Sequence, residues 1–449
     1  RNPQLLEPLD GDLDFPLTDT PDFRDSVERR EHRADSRAVA RLLLPSSIAV
    51  IGASDRPGTV GHALWQHVTA GAERGTGYAV YPVNPRHPTI GGVSACRSVT
   101  EIEGEVGLAV IAVPVAALES TIQECIDKRI RSAVVVTAVE GPGFVPELDV
   151  RALVTHARRN GLRILGPGSM GLASPRPSTA IQAALVDVML PAGNVAISMQ
   201  SGTLAASLLR LAHRLQLGVS WFVSLGDKAD VSANDLLQFW EDDDATDVIA
   251  LYTESLGNPR KFARIARRVG ARRPIVVVRT GAAQVGAGNE ALYRETGAIE
   301  VPTVTALLDT ARVLSSQPLM DGLRVAVVTN SRSPAVLATA TLEAAGLEPV
   351  IEPVAGGWEA TADDYGAAVT TAIADPEVHA VMIVHAPPVE DAVDAPIDAI
   401  ERATAGAAKP AVAVMIGAVD GPLRPGSAVP VFAFVEPAAA ALGRVAAYS

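Results

Sequence analysis

The sequence predicts an α/β protein with parallel, doubly wound sheets, and three observations support this prediction. Short valine-rich runs such as Ala133–Val136 and Ile275–Val278 are typical of strands that are buried on both faces of a sheet. Predicted strands and helices alternate from Ser47 onward. The alternation starts afresh near Asn194 and again at Leu323, which indicates three successive α/β units.

The composition and net charge of the chain exclude several classes of protein and partner. The 449 residues carry 38 lysines and arginines against 51 aspartates and glutamates, a formal net charge of −13. This charge disfavours nucleic acids and anionic membranes as partners. Hydrophobic residues make up 48% of the chain, yet no apolar run approaches the roughly 20 residues of a membrane-spanning helix. Cys96 and Cys125 form no CxxC or His/Cys cluster, so we expect reduced thiols of a cytoplasmic protein without a metal site.

The first 43 residues are expected to be a linker or the tail of a preceding domain. Leu13–Leu17 is a short strand-like piece, and Thr20–Arg41 alternates acidic and basic side chains at helical spacing. Such alternation predicts a solvated helix or linker. The chain starts at Arg1 instead of methionine, so we expect further sequence upstream.

The first α/β unit is predicted over residues 44–190. We expect strands at 47–52, 78–82, 107–113, 132–137 and 162–165, with helices near 59–70, 115–129 and 147–160. Nucleotides bind such sheets at the carboxyl ends of the strands. The residues there are small, turn-forming or hydroxyl-bearing, which lets a ligand approach the backbone. They are Gly52, Ala53, Ser54, Val83, Asn84, Val113, Pro114 and Thr137.

The segment Ser47–Gly61, SIAVIGASDRPGTVG, is the stretch around which this unit is organised. A β-branched run ends at Gly52, and a loop with Pro57 and Gly58 leads through Gly61 into an apolar helix pattern. A strand, a glycine turn and a helix N-terminus together offer backbone N–H groups to the phosphates of a nucleotide. The spacing is not a strict GxGxxG, so a purely structural turn remains the alternative.

The end of the second strand bears on the identity of the nucleotide. A dinucleotide dehydrogenase usually carries an acidic residue there, which binds the ribose 2′-hydroxyl. Here the position is Asn84, followed by Arg86 and His87. Basic residues favour a ribose phosphate, which NADP and coenzyme A both possess, and they disfavour plain NAD.

The second unit is predicted over residues 191–321, with strands at 195–199, 219–224, 247–252 and 274–279. Its first strand runs into Ser201, Gly202 and Thr203 at the start of a helix, Leu204–Leu215. This helix start can bind an anion or can be an ordinary N-cap, and the spacing does not decide between the two. Glu254 follows a strand of the same unit and is expected to face the same side.

The third unit is predicted over residues 322–449, after a boundary at Asp321-Gly322. We expect strands at 323–329, 347–351, 380–385 and 410–415, and helices at 334–345, 363–374 and 437–449.

Eight motifs follow one another from about residue 38 onward. They are SIAVIGAS with PGTVG, YPVNP, LAVIAVPV, GPGSMG, SMQSGTL, FVSLGDKADVSANDLLQFW, LYTESLGNPRKFARIARR and RVAVVTNS. In kind and order they resemble the α part of the NDP-forming acyl-CoA synthetases, a family related to succinyl-CoA synthetase. The resemblance implies a Rossmann-like CoA-binding domain followed by two flavodoxin-like domains.

The resemblance also implies roles for individual residues. Gly52, Ser54, Gly58, Val60, Asn84, Pro114 and Thr137 would line the site for coenzyme A or acetyl-CoA. The neighbouring Ala53, Pro57, Gly61, Val83, Arg86, His87 and Val113 complete this candidate site. Ser201, Gly202 and Thr203 would hold a phosphate, and Glu254 would orient a phosphorylated histidine.

That histidine is expected in the loop after the strand that ends at Arg279, because imidazole can take and release a phosphoryl group near neutral pH. No histidine occurs between His213 and His379, so we expect the phosphohistidine to be missing. Three further motifs depart from the family pattern, one of which is a proline-rich NPVD loop of the third domain whose place is taken by Val354–Thr361. GPNCLG is GPGSMG here, and a glycine pair is replaced within Asn330–Ser333. The ATP-grasp domain that would phosphorylate the histidine is outside this chain.

Near the N-terminus, DGDLDFPL and the charged segment that follows it resemble the tail and connector of a GNAT-type acetyltransferase domain. Such a domain precedes this module in the actinobacterial fusions that the chain resembles most. We therefore expect a GNAT domain upstream as a partner.

Two functions of different classes follow from these observations. The first is a non-catalytic module that senses CoA or acyl-CoA, as the regulatory part of a protein lysine acetyltransferase. The second is the α part of an ADP-forming acetate or acyl-CoA ligase, which acts with an ATP-grasp partner and needs a new phosphoryl carrier such as Glu254. An NADP-dependent oxidoreductase is disfavoured, because no acid/base residue stands where hydride transfer requires one. A homo-oligomer is compatible with the sequence, although no interface can be identified in it.

Overall fold

The computed structural model describes residues 21–75, 77–139, 148–280, 293, 295–387 and 394–449. Over these ranges the chain forms three successive large sheets that are flanked by helices, and one small two-stranded antiparallel sheet. This architecture confirms the predicted α/β class, with a Rossmann-like first unit and further α/β units. The strand-like piece predicted at Leu13–Leu17 lies outside the described residues.

The first unit is built around a five-stranded parallel sheet of order β2-β1-β5-β6-β7. Its elements are α1 (Pro21–Leu43), β1 (Ser47–Ile51), α2 (Val60–Arg74), β2 (Ala79–Val83), β3 (Thr89–Ile90), β4 (Val93–Ser94), β5 (Leu108–Ile111), α3 (Leu118–Asp127), β6 (Ser132–Val135), α4 (Val150–Arg159) and β7 (Arg163–Leu165). The chain moves from β1 to β2 on one side and then crosses to β5 on the other. Ligands bind at the carboxyl side of such a switch point.

The second unit has a seven-stranded sheet of order β14-β13-β12-β10-β11-β8-β9. Its elements are β8 (Gly171–Ala173), β9 (Gln182–Ala184), β10 (Ala192–Met199), α5 (Gly202–Arg214), β11 (Val219–Ser224), α6 (Ala233–Glu241), β12 (Val248–Thr253), α7 (Pro259–Gly270), β13 (Ile275–Arg279), β14 (Ile299–Val301) and α8 (Val304–Ser316). β8 pairs antiparallel with both β9 and β11. Residues that the sequence groups with the first unit thus extend the second sheet, and the boundary at 190/191 stays a prediction.

The third unit has a six-stranded sheet of order β16-β15-β17-β18-β20-β19, in which only the β19–β20 pair is antiparallel among the described strands. Its elements are β15 (Arg324–Thr329), α9 (Arg332–Ala344), β16 (Glu348–Pro353), α10 (Ala362–Ala374), β17 (Ala380–His385), α11 (Asp394–Thr404), β18 (Ala411–Met415), β19 (Gly421–Pro422), β20 (Pro430–Phe432) and α12 (Val435–Tyr448).

Local capping signals explain where several helices begin. The Ser232 side chain and Asp235 form a capping box at the start of α6. Asn258 accepts a hydrogen bond from the Lys261 backbone at the start of α7, and Pro259 occupies the first turn. Both arrangements satisfy N–H groups that a helix start leaves without a partner.

Helix α1 differs from the solvated helix or linker predicted for this stretch. In its last turns Val39, Leu42 and Leu43 are at most 1% exposed. They pack into the core beneath β1, together with side chains of the second unit such as Trp240. Helix α1 therefore joins the first and second units.

The charged part of α1 is paired with helices of the second unit. Glu31 and Asp35 each lie 2.9 Å from the Lys261 ammonium. His32 Nε2 lies 2.7 Å from an Asp242 carboxylate oxygen, and the Arg268 guanidinium contacts His32 Nδ1 at 3.2 Å. The alternating charges of α1 thus pair with opposite charges on helices of the second unit. The periodicity of charges in the sequence is the same for a paired helix and for a solvated one, so it cannot distinguish the two.

Candidate functional site

The glycine turn after β1 has a backbone that only glycine can form. Gly52 has φ +93°, and a Cβ there would lie 2.3 Å from the Ala112 carbonyl oxygen. A Cβ on Gly61 would lie 1.9 Å from the Gly52 carbonyl oxygen. The first turn of α2 therefore packs directly on the turn that precedes it, as in dinucleotide-binding folds.

The loop between these glycines is ordered by its own hydrogen bonds. Thr59 caps α2, because its hydroxyl oxygen accepts from the His62 backbone N–H at 3.3 Å and its hydroxyl donates to the Arg56 carbonyl at 2.8 Å. Ser54 Oγ accepts from the Arg56 N–H at 3.0 Å. No acidic residue lies in the first turn of α2, so the positive end of the helix dipole is uncompensated there. Arg56 is exposed and carries a positive charge, beside the exposed carboxylate of Asp55, which accepts from the Gly91 N–H at 2.7 Å.

Asn84 connects the end of β2 to the glycine turn. Its Nδ2 donates to the Ala53 carbonyl at 2.8 Å. Its Oδ1 accepts from the backbone N–H groups of Arg86 and His87 at 2.8 and 3.2 Å. The amide side chain therefore shapes both loops, whereas the side chains of Arg86 and His87 are exposed.

The ends of β5 and β6 continue the same edge. The Thr137 hydroxyl donates to the Val113 carbonyl at 2.7 Å, and Pro114 lies exposed beside it. Because β2, β1, β5 and β6 are consecutive in the sheet, the structure brings all the predicted coenzyme residues to one edge. Of these, Ala53, Gly61 and Val83 are buried and shape the backbone, while Pro57, Gly58 and Val60 are exposed. Which of them contact a ligand stays a prediction.

Ser201, Gly202 and Thr203 lie at the N-terminus of α5, as predicted. Ser201 is the N-cap residue, but its side chain makes no capping hydrogen bond. Its hydroxyl lies 3.4 Å from that of Thr203. The backbone N–H groups of this helix start therefore remain available to an anion.

Glu254 lies next to this helix start, and a network holds its loop. Gln200 Oε1 accepts from the backbone N–H groups of Glu254 and Ser255 at 2.9 and 3.1 Å. The Lys228 ammonium donates to the Ser255 hydroxyl at 2.7 Å. Burial lowers the pKa of Lys228, and the nearby Glu254 carboxylate opposes this shift.

A loop over residues 166–171 connects the two clusters. The Gly168 N–H donates to the Thr137 carbonyl at 2.9 Å. A Cβ on Gly202 would lie 3.3 Å from the Gly168 carbonyl oxygen. In the same loop, the buried Ser169 hydroxyl donates to the Ser224 carbonyl and accepts from the Gly171 N–H. The edge of the first sheet that carries Gly52, Asn84 and Thr137 (the coenzyme edge) therefore lies beside the N-terminus of α5.

Other predicted features contribute little to the site. The loop expected to carry the phosphohistidine is centred on residues 281–292, which lie outside the described residues. His62 Nδ1 contacts the Ser54 carbonyl at 3.1 Å, within the turn itself. Burial raises the pKa of the Cys125 thiol to about 12, which disfavours its reactive thiolate.

The described residues offer neither a cluster of metal ligands nor a membrane-spanning helix. No group of three or more His, Cys, Asp and Glu side chains there is arranged to hold a metal ion. No described helix is long and apolar enough to cross a membrane.

Three residues in or beside the site were missed by the sequence reasoning. Arg56 lies inside the recognised glycine turn, so its charge was a readable signal. Gln200 directly precedes Ser201, but its bonds to the Glu254 loop depend on the adjacency of β10 and β12. Lys228 has φ +54°, which no sequence pattern indicates for a lysine.

Comparison with family models agrees with this geometry. Residues 46–175 match a model described as a CoA binding domain. Residues 192–314 match a model described as a succinyl-CoA ligase like flavodoxin domain.

Curated relatives extend the match. The chain is 33% identical over 320 residues to the α subunit of ADP-forming acetate–CoA ligase II from Pyrococcus furiosus, which is 68% of each chain. It is 30% identical over 423 residues to the α subunit of ligase I from the same organism, 84% of this chain and 90% of that one. An ADP-forming acetate–CoA ligase from Methanocaldococcus jannaschii is 31% identical over 310 residues, and the match spans only 43% of that longer protein.

Solved structures with the same fold cover most of the chain. The crystal structure of a protein from Pyrococcus horikoshii superposes with a TM-score of 0.81 at 27% identity, over 91% of this chain and 98% of that one. A dinucleotide-forming acetyl-coenzyme A synthetase from Candidatus Korarchaeum cryptofilum, in complex with phosphate and ADP, gives a TM-score of 0.80 at 28% identity, over 91% and 96%.

Proposed function

This chain belongs to the family of the ADP-forming acyl-CoA ligase α subunits and contains its CoA-binding domain, and from this premise we propose that it is a non-catalytic, acyl-CoA-sensing module. The observation that carries the proposal is the first-sheet edge, where the Gly52 turn, the Asn84 loop and Thr137 meet beside the Ser201 helix. A ligand on this edge would touch both the first and the second unit.

In the proposed complex, the coenzyme phosphates lie on the N–H groups between Gly52 and Gly61, at the positive end of α2. The ribose 3′-phosphate lies near the exposed guanidinium groups of Arg56 and Arg86 and the exposed imidazole of His87. From there the acyl end extends toward Thr137 and the 166–171 loop.

One feature of the sequence and one general principle support a regulatory role. No histidine occurs between His213 and His379, so the usual phosphoryl carrier has no counterpart in that part of the sequence. A coenzyme that binds one arrangement of the units more tightly than another shifts the population toward that arrangement. We propose that the regulated partner is a GNAT-type acetyltransferase domain upstream, joined through α1, in a cytoplasmic protein lysine acetyltransferase.

The alternative function is the α part of an ADP-forming acetate or acyl-CoA ligase that works with an ATP-grasp partner. The similarity to the α subunits of ADP-forming acetate–CoA ligases favours it. It requires another phosphoryl carrier, and the Glu254 carboxylate is the candidate because it is exposed beside the N-terminus of α5. Transfer of the γ-phosphoryl group from ATP to this carboxylate would release ADP and form an acyl phosphate.

Binding of the ribose phosphate is tested with Arg86→Gln and a matched control, Arg74→Gln. Arg74 lies in the last turn of α2, far from the glycine turn. Titration calorimetry should show that Arg86→Gln weakens coenzyme A binding several-fold and leaves dephospho-CoA unchanged, because only the first ligand carries the 3′-phosphate. Equal losses for both ligands would contradict the assignment of Arg86, and a loss in the control would indicate non-specific charge effects.

Phosphoryl transfer separates the two functions. The chain is incubated with radiolabelled ATP and an ATP-grasp subunit of an archaeal acetate–CoA ligase, and phosphate bound to the chain is measured before and after acid treatment. The sensor function predicts no bound phosphate. Labelling of the wild type that is lost in Glu254→Gln would contradict it and establish the ligase alternative.

A further inference from the structure

A cavity lies at the end of the first sheet opposite to the coenzyme edge. Its volume is about 470 Å³, and its lining residues directly precede β1, β5 and β6, within the ranges 44–46, 104–107 and 128–131. The glycine turn, Val113 and Thr137 follow the same three strands. At about 3.3 Å per residue, strands of four or five residues separate the two edges by roughly 15 Å. The cavity is therefore distinct from the coenzyme edge.

The cavity is positively charged although the chain is acidic. Arg41, Lys128, Arg129 and Arg131 line it, and Glu105 is the one carboxylate among its described lining residues. Four positive charges thus face one negative charge in a chain whose net charge is −13. This concentration of charge attracts anions to one place.

Two of these four side chains donate hydrogen bonds to the protein, and the other two have no such partner among the described residues. Lys128 donates to the Ile102 carbonyl, and Arg131 donates to the Asn160 carbonyl at 3.3 Å. The side chains of Arg41 and Arg129 have no hydrogen bond or ion pair with any described residue. Arg41 lies in the last turn of α1 and Arg129 directly follows the C-cap of α3, so both positive charges also favour the negative ends of these helices, while their guanidinium donors stay available to a ligand.

Arg129 has a backbone conformation that disfavours any residue with a side chain. It has φ +63° at the end of α3. Its N–H donates to the Ile126 carbonyl at 2.8 Å, and the Ile130 N–H donates to the Cys125 carbonyl at 2.9 Å. This pattern is a Schellman motif, whose left-handed position is usually glycine. An arginine at this position places a guanidinium on the cavity at a cost in backbone strain.

We propose that this cavity binds a phosphate-bearing small molecule. Guanidinium groups bind phosphate oxygens in pairs, and three of them line this cavity. The volume lies in the range of small-ligand sites and exceeds the space that a lone phosphate fills. The ligand class is therefore a phosphate ester of nucleotide size. This site does not depend on the function proposed for the coenzyme edge.

The test uses Arg129→Gly, which removes the guanidinium and relieves the positive φ at once. The probes are inorganic phosphate, AMP and coenzyme A, measured by titration calorimetry together with the thermal midpoint. The expected result is a loss of at least tenfold in AMP affinity, a thermal midpoint that is not lowered, and unchanged binding of coenzyme A. Arg210→Ala, at an exposed arginine of α5, is the charge-matched control and should bind AMP as the wild type does.

The three probes also distinguish a free phosphate ion from a phosphate ester as the ligand. If phosphate alone binds as tightly as AMP, the ligand is the free anion and the assignment to an ester is wrong. If AMP binds the wild type and Arg129→Gly equally, or not at all, the proposal is overturned. If coenzyme A displaces AMP, the two ligands share one site and this cavity carries no function of its own.

Discussion

Asn84 is the residue that most directly joins two loops of the coenzyme edge. Substitution by alanine removes the donor to Ala53 and the acceptor for the N–H groups of Arg86 and His87. We expect coenzyme A affinity to fall about tenfold, equivalent to about 1.4 kcal/mol, because the two loops are no longer preordered. Titration calorimetry measures this. Asn160→Ala, which removes an exposed bond to the His156 carbonyl, is the control and should bind normally.

His385 makes the third unit sensitive to acid. It is 4% exposed, neither ring nitrogen has a partner among the described residues, and it packs edge-on against Tyr365 with ring centroids 4.9 Å apart. Burial lowers its pKa below the ordinary 6.5. The unfolded state then binds more protons, so the stability contributed by the neutral ring is present above pH 6.5 and is lost as pH falls below it.

His385→Phe removes this titration while it keeps an aromatic ring against Tyr365. Thermal unfolding at pH 7.5 and pH 5 should therefore show a smaller loss for the variant than for the wild type. His156→Phe, at an exposed histidine, should behave as the wild type does. An equal loss in wild type and His385→Phe would show that other groups cause the acid sensitivity.

Single residues differ in how far the sequence predicts them. Gly52 and Asn84 were readable because a strand end, a glycine and an amide have fixed meanings at that position of an α/β fold. The bonds from Lys228 and Gln200 to the loop of Glu254 were not, since they connect segments that only the folded sheet brings together. Arg129 was not readable either, because its positive φ contradicts the usual preference of its position.

Among the elements, the contact between the glycine turn and α2 permits a sharp test. Gly61→Ala places a methyl group 1.9 Å from the Gly52 carbonyl oxygen. The helix must shift away, so we expect a lower thermal midpoint and loss of coenzyme A binding. Gly77→Ala is the matched control, because its φ of +73° is strained but nothing lies within 4 Å of the new methyl group. If Gly77→Ala impairs coenzyme binding equally, helix packing on the turn is not the cause.

Helix α1 depends on its ion pairs with the second unit. Asp35 accepts from the Lys261 ammonium at 2.9 Å and from Gln238 Nε2 at 2.7 Å, and its side chain is 17% exposed. Asp35→Ala leaves both donors with one partner fewer, so we expect a loss of about 1–2 kcal/mol in unfolding free energy. Faster hydrogen exchange in α1 should accompany it. Arg33→Ala, at an exposed position of the same helix, should leave both quantities unchanged.

The helices and strands were predicted well where the hydrophobic periodicity and the length of a segment indicate the same element. The central strands of all three sheets lie within one or a few residues of the predicted positions, because buried β-branched runs have few alternatives. The short strands β3, β4, β8, β9, β14, β19 and β20 were not predicted, since two or three residues carry no period. The docking of α1 was missed because paired and solvated charges give the same pattern.

At the scale of the whole molecule, the coenzyme edge lies where the first and second units meet. The Gly168 N–H bond to Thr137 and the close approach of Gly202 to Gly168 connect that edge to the α5 helix start. Helix α1 contacts both units from another side, through the buried Leu42 and through the ion pair of Asp35 with Lys261 of the second unit. A ligand that changes the packing of the two units therefore also bears on α1, which is the connection that the sensor function requires.

The most direct test of the central claim is a calorimetric titration of this chain with coenzyme A, acetyl-CoA, dephospho-CoA and NADPH. If the sensor function is right, coenzyme A and acetyl-CoA bind with different affinities, and loss of the 3′-phosphate weakens binding. Binding of NADPH alone, or of none of the four ligands, would contradict it.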